Sequence, residues 1–189
     1  MTDPAEFEAF MRSYQNMVYS TAFRLTANHA EAQDIAQEVF LKAYERYDSI
    51  RDQPTVGGWL RTVATNLALN HLSRYRKRWS FFSDLRRSND EGEEGPDFEA
   101  TIAAPDSREA AGADHRDTRE LLEEALAKLP PLQRAAIVLY HFEEMPYQDI
   151  ASKLRVSLAK VKTDILRGRE ALKKRLAGRL DELDFNPST

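Results

Sequence analysis

The chain contains no cysteine, which excludes disulfide cross-links and thiolate metal sites. It has no stretch approaching the roughly 20 consecutive apolar residues that a membrane-spanning helix requires, so direct membrane insertion is not expected. Met1-Thr2-Asp3-Pro4-Ala5-Glu6 is acidic and lacks the basic and apolar parts of a signal peptide, and the expectation is a cytoplasmic protein. Alternating apolar and polar residues of the strand period are also missing, leaving helices as the main element. What is present is a globular balance: 42% hydrophobic and 31% charged residues, too apolar for a disordered chain. The length of 189 residues suits one domain or two small ones.

The formal net charge of −4 argues at first against a nucleic-acid partner, but it is an average over unlike segments. Residues 1–80 carry 10 basic and 9 acidic side chains, residues 81–117 carry 4 and 11, and residues 118–189 carry 13 and 11. Within the last segment, residues 153–179 hold 10 Lys and Arg against only Asp164 and Glu170. A solvated helix face usually mixes the two signs more evenly. So dense a basic stripe is the electrostatic footprint of a phosphate-binding surface.

Helical periodicity divides the first 80 residues into three segments. Asp3 as N-cap, Pro4 at the first helical position and Glu6 open the first, with Phe7, Met11, Tyr14, Val18 and Leu25 at helical spacing. Asn28 and Glu31 repeat the capping pattern before the stripe Ile35, Val39, Ala43 and Tyr47. Residues 48–58 contain Pro54, Gly57 and Gly58 and read as a loop, followed by a helix from about Trp59 to Arg78 with Leu60, Val63 and Leu67 inward. Ser88 to Pro96 is acidic and rich in Gly and Pro, as flexible linkers are. The expected fold is all-α: a helical domain over 1–80, an acidic flexible linker over 81–117 and a second helical domain over 118–182. That second domain starts from Thr118 as a candidate cap, with Leu122, Leu126 and Leu129 as its first stripe. Pro130-Pro131 and Met145-Pro146 mark its breaks.

Two segments have the chemistry of nucleic-acid recognition. Tyr147 to Leu154 reads as a short amphipathic helix with Ile150, Ala151 and Leu154 inward. Arg155-Val156-Ser157 is a turn with Ser157 as N-cap, and Val161 and Ile165 bury the next helix. This is a helix-turn-helix, whose second helix would offer Lys160, Lys162, Thr163, Asp164 and Arg167 on an exposed face to the major groove. Lys153 and Arg155 would flank it on the backbone. In the first domain, Thr62, Asn66, Asn70 and Arg74 recur every four residues on one face. They lead into Tyr75, Arg76 and Trp79, where amides can meet base edges and aromatics can stack on unpaired bases. Solvent-facing asparagines and a core tryptophan account for the same residues equally well.

At these positions the sequence resembles the sigma-70 family of bacterial transcription initiation factors, and within it the small extracytoplasmic function (ECF) group. Residues 34–44, Asp34-Ile35-Ala36-Gln37-Glu38-Val39-Phe40-Leu41-Lys42-Ala43-Tyr44, look like the family's polymerase-binding helix. Trp59-Leu60 with Ala64 and Asn66 looks like its promoter-melting segment. Leu129-Pro130, Tyr147 to Ala151 and Arg167 to Leu172 look like its region 4. The resemblance implies core RNA polymerase as partner, through the beta-prime clamp helices and the beta flap, with Asp34, Gln37, Glu38, Phe40 and Lys42 at the polymerase-binding positions. It implies promoter DNA as the second partner. The −10 element would be met by Arg51, Trp59, Thr62, Asn66, Asn70, Arg74 and Arg76. The −35 element would be met by Lys153, Arg155, Ser157, Lys160, Lys162, Thr163, Asp164 and Arg167. An anti-sigma protein, able to hold the chain at a membrane, is a further implied partner. No catalytic residue, cofactor, metal or small-molecule substrate is implied.

Two departures from the family pattern stand out. The loop before Trp59, Ile50-Arg51-Asp52-Gln53-Pro54-Thr55-Val56, keeps only Arg51 of the usual set. In the recognition helix, Asp164 stands where the family has a cation. It can accept from a cytosine amino group or pair with Lys160 four residues earlier, and the resemblance then implies a −35 sequence unlike the family's commonest. A stand-alone repressor using the same helix-turn-helix would leave residues 34–44 unexplained. A helical enzyme using Asp34 and Glu38 as acid and base lacks a nucleophile set or metal cluster, and a protein that only sequesters a partner would show no promoter dependence.

Overall fold

Two short polar caps and one left-handed residue start and stop the first helices. In the computed structural model, which describes the backbone of residues 3–87 and 113–184 and the side chains of 3–74 and 118–177, α1 spans Pro4–Thr26. Asp3 Oδ1 accepts from the Ala5 N–H at 3.0 Å, satisfying an amide that the helix itself leaves unpaired. Ala27, in the left-handed conformation at φ 51°, ends α1. Asn28 Oδ1 then accepts from Glu31 N–H at 3.2 Å to open α2 at His29–Glu45. Across this turn the Tyr19 hydroxyl is hydrogen-bonded to His29 Nδ1, and the His29 ring stacks on Phe23.

Residues 48–58 are more helical than their Gly and Pro content predicts. A four-residue α3, Tyr47–Ile50, buries both its end residues, and α4 runs Val56–Arg87 with Gly57 and Gly58 inside its first turn. Each glycine costs a helix about 1 kcal/mol relative to alanine. Burial of the Val56 side chain, together with the Trp59 N–H donating to Thr55 O at 3.0 Å, anchors the turn nonetheless. The inward face of α4 also differs from expectation. Leu60, Ala64 and Ala68 are fully buried, whereas Val63 and Leu67 are half-buried. The two alanines let α4 pack closely on α1 and α2, whose buried contributions are Val18, Ala22, Leu25, Ile35, Val39 and Ala43. A His71–Glu31 contact at 2.7 Å ties α4 to α2.

The described residues fall into two compact units, one within Met1–Pro105 and the other within Asp106–Thr189. The acidic segment 88–112 lies outside the described residues. In the second unit α5 spans Ala113–Ala127, so Thr118 sits inside this helix and does not cap it. Pro131 is the first residue of α6, Pro131–His141. Arg134 is 5% exposed, a charge placed in the interior, and its Nη1 donates to Ala127 O at 3.3 Å and Leu129 O at 3.1 Å. Those are carbonyls at the negative end of α5, where a cation is favoured and the acceptors would otherwise lack partners. Helix α7, Tyr147–Leu154, and helix α8, Leu158–Asp184, complete the unit. Its core joins Leu126, Leu129, Ala135, Ile137, Leu139, Ile150, Val161 and Ile165. The close approach here is at Gly168, where a Cβ would lie 2.7 Å from Ile137 Cγ1. Alpha-helices that cross this closely exclude even a methyl group. No strand occurs among the described residues.

Candidate nucleic-acid interface

The turn between α7 and α8 is built by backbone bonds and one cap. Arg155 adopts φ 54° at the end of α7, the Val156 N–H donates to Ala151 O at 3.1 Å, and the Lys160 N–H donates to Ser157 Oγ at 3.1 Å. Ile150 from α7 and Val161 and Ile165 from α8 are buried between the helices. This fixes which side of α8 faces outward. Lys153, Arg155, Ser157, Lys160, Lys162, Thr163 and Arg167 are exposed, so five cations are open to solvent within the helix-turn-helix.

Asp164 does not join them. Expected on the exposed face, it is 1% exposed and its Oδ1 accepts from Lys160 Nζ at 2.6 Å. The cause is helix geometry: Asp164 follows Val161 by three residues and precedes Gly168 by four, which places it on the buried stripe. Of the two roles open to it in the sequence, pairing with Lys160 is the one present, and it neutralises one cation of the recognition surface. A residue that sequence reasoning passed over faces solvent instead. Leu166 is 57% exposed, about 100° round the helix from Ile165, and that offset from the apolar stripe was the available signal.

In the first unit, Thr62, Asn66, Asn70 and Arg74 are all exposed along α4, with Trp59 half-buried at its head. Thr62 Oγ1 donates to Gly58 O at 2.9 Å. The Arg76 side chain, with those of Tyr75 and Trp79, lies outside the described residues. Arg51, exposed, pairs with Glu6 at 3.0 Å and Asp52 at 3.4 Å and lies 5.9 Å over the Tyr47 ring.

On α2, Asp34, Gln37, Glu38 and Lys42 are exposed, with a loose Lys42–Glu38 contact at 3.6 Å. Phe40, expected with them, is 7% exposed and belongs to the core. Two residues beyond Glu38 it is turned about 200° away. The apolar surface on this face comes from Leu41, 65% exposed, and Tyr44, 48% exposed. Tyr44 is steadied by an edge contact with Phe7 at 4.9 Å. Large apolar side chains exposed beside acidic ones are the pattern of a protein-binding patch.

These features define a two-unit, all-helical protein with a helix-turn-helix in its second unit. Residues 10–78 match the model of Sigma-70 region 2 and residues 119–172 match that of Sigma-70, region 4. The chain is 33% identical over 181 residues to RNA polymerase sigma-H factor of Pseudomonas aeruginosa, covering 95% of this chain and 91% of that one. It is 30% identical over 174 residues to ECF RNA polymerase sigma factor SigW of Bacillus subtilis, covering 92% and 90%. Among solved structures it is similar to the sigma factor RpoE of Bartonella quintana, crystallised with the anti-sigma factor NepR, at TM-score 0.50 and 23% identity over 91% of this chain and 97% of that one. The chain belongs to the sigma-70 family and is a sigma factor of the ECF type. It therefore acts with core RNA polymerase in promoter recognition and transcription initiation. Sigma factors are regulatory initiation factors rather than classical enzymes. No helix among the described residues is long and apolar enough to cross a membrane.

Proposed function

We propose that the chain reads a bipartite promoter, with residues 1–80 docking on polymerase and opening the −10 element and residues 118–182 reading the −35 element. One observation carries this division. The exposed polar row of α4 lies inside the region 2 match, and the exposed cations of the helix-turn-helix lie inside the region 4 match. Lys162, Thr163 and Arg167 meet the −35 duplex, with Lys153, Arg155, Ser157 and Lys160 on its backbone. Asp164 acts through Lys160. Asn66 and Asn70 meet bases of the opened −10 strand, with Thr62, Arg74, Arg76 and Trp59 alongside and Arg51 supporting the loop. Binding unpaired bases offsets their unstacking, so the strands part without ATP hydrolysis.

The polymerase clamp helices meet the α2 face of Asp34, Gln37, Glu38 and Leu41, with Lys42 at its edge. An anti-sigma protein covers that same exposed face in the inactive state and holds the chain in the cytoplasm or at a membrane. The similarity to a sigma factor solved with its anti-sigma partner motivates this last assignment.

Run-off transcription with purified core polymerase, on templates chosen by mapping transcript 5′ ends after overexpression, tests the reading. Asn66→Ala with Asn70→Ala should abolish open-complex formation while duplex −35 binding persists. Lys153→Ala should weaken −35 binding and flatten its salt dependence by about one phosphate contact. Open complexes formed equally well by the double asparagine variant would refute the division.

A further inference from the structure

The C-terminal end of α6 carries a cluster that promoter reading leaves unused. Arg169 of α8 donates through Nε to His141 Nε2 at 3.1 Å, and its guanidinium carbon lies 5.4 Å from the centre of the Tyr140 ring. Tyr140 in turn meets the His141 ring edge-on at 4.8 Å and the Tyr147 ring of α7 at 4.9 Å. One cation is thus held by an aromatic face and an imidazole lone pair, two neutral partners that leave its charge intact.

A cation beside the last residue of α6 complements the helix dipole, which accounts for Arg169 but not for the imidazole. His141 Nε2 accepts only while it is bare, with the ring proton on Nδ1. A second proton turns the acceptor into a donor and sets two cations in contact. The helices cannot part to relieve this. Gly168, next to Arg169, is packed so tightly on Ile137, one turn before His141, that a Cβ would lie 2.7 Å from Ile137 Cγ1. Protonation therefore moves a side chain and not a helix, and Arg169 and His141 are both open to solvent.

The helices packed on α6 are α7 and α8. From α8 come Arg169 and, one turn further, Lys173; from α7 comes the Tyr147 phenol, through Tyr140; and Glu143 and Glu144 follow in the chain. The charge that acts on His141 is that of Arg169, which adds to burial, the larger cause, in lowering its pKa.

The stripe to which Arg169 belongs shows where a released guanidinium goes. Lys162, Leu166, Arg169 and Lys173 follow one another at three- and four-residue steps, so Arg169 shares one side of α8 with a residue of the −35 face. It lies about 10 Å along the axis from Lys162. We propose that His141 is a positioning residue for −35 binding: the neutral imidazole stows Arg169 against Tyr140, and protonation releases Arg169 to a phosphate of the duplex. Proton and duplex then bind cooperatively. Promoter affinity rises as pH falls below the ordinary histidine value of 6.5, opposite in sense to the stability of the free chain. The assignment rests on the reading of α8 as the −35 helix.

The test titrates holoenzyme, assembled from core polymerase and the full chain, with a labelled −35 duplex from a mapped promoter, at fixed ionic strength from about pH 7.5 to about pH 5.5. Wild type should gain about five-fold in affinity at the acid end, with a salt slope steeper by about 0.9. His141→Gln, whose amide oxygen can accept from Arg169 at every pH, should lose both the gain and the change in slope. Arg169→Ala should lose them too. His141→Lys, cationic throughout, should show the acid-form slope already at about pH 7.5. His29, His71 and His115 stay in every variant, so any trend of theirs cancels in the comparison. In NMR of the full chain, the duplex should raise the proton affinity of His141 by the same factor as the affinity gain.

Equal pH profiles for wild type and His141→Gln, with −35 binding intact, would reduce the cluster to a structural contact and overturn the proposal while α8 remained the −35 helix. A gain that survives Arg169→Ala would lie with the imidazolium itself and overturn the release of Arg169. Failure of wild-type holoenzyme to bind any −35 duplex at any pH would refute both readings together.

Discussion

Asp164→Asn keeps the shape of the side chain and its ability to accept from Lys160 while removing its charge. The native pair is asymmetric: the Asp164 side chain is 2% exposed and that of Lys160 is 46% exposed, at 2.6 Å. A fully solvated i, i+4 pair is worth about 0.3–0.5 kcal/mol, whereas a hydrogen bond to a charged group in the interior is worth about 1.5–3 kcal/mol. Because the lysine head keeps half its water, the loss on Asp164→Asn should fall between these, at about 1 kcal/mol. Lys160→Ala should be worse, about 2 kcal/mol, since it leaves a buried carboxylate with its partner gone. The double variant should recover part of that loss, because the amide no longer needs a cation. In a helical unit of this size each kcal/mol lowers Tm by roughly 4–8 °C, within reach of calorimetry on the full chain. The same variants should be passed through binding-site selection as holoenzyme. With Asp164 turned inward, Asp164→Asn should shift overall −35 affinity and leave the preference at every base pair unchanged. A discrimination loss of about 1–3 kcal/mol confined to one base pair would show that Asp164 reaches a base, and the reasoning from its burial would be wrong.

Phe40→Ala should destabilise the first unit by about 3–5 kcal/mol. Leu41→Ala, one residue on, should leave stability within about 0.5 kcal/mol yet weaken core-polymerase binding by at least ~1 kcal/mol, as read by titration with labelled core. Arg155→Gly relieves a left-handed backbone at φ 54°. It should raise stability by about 0.5–1 kcal/mol while weakening −35 binding and its salt dependence, a combination that thermal unfolding and filter binding separate. The His141 pKa is lowered by burial first and by the neighbouring Arg169 second, with Arg169 Nε donating to His141 Nε2 at 3.1 Å. Because the folded state resists protonating this ring, stability should be unaffected above the ordinary histidine value of 6.5. It should decline as pH falls below it and level off once His141 is protonated in the folded state. Arg169→Ala should move the His141 titration, followed by NMR, back towards its ordinary range.

Much of the architecture was legible from local chemistry. Asp3, Asn28 and Ser157 cap helices where the sequence placed caps, because a short polar side chain beside an unpaired amide is a purely local device. Pro131 and the Arg155–Ser157 turn likewise act within a few residues of themselves. The exposure of Thr62, Asn66, Asn70 and Arg74 on one side of α4 followed from their four-residue spacing alone.

Tertiary packing decided the rest. Gly57 and Gly58 entered α4 because Val56 is buried against other helices. Phe40 and Asp164, expected on partner-facing surfaces, lie inside, while their near neighbours Leu41 and Leu166 lie outside, because each pair differs by one or two residues. A shift of that size turns a side chain about 100–200° round a helix, and only the neighbouring helices decide which side is the interior. A charge therefore sits inside and a leucine outside at the centre of the recognition helix. The sequence by itself determined where α1, α2, α6, α7 and α8 begin, which family the chain resembles and where its cations lie. Which residues of those helices face a partner, and that Arg169 meets His141 and Tyr140, depended on helices brought together from distant parts of the chain, where periodicity carries no information.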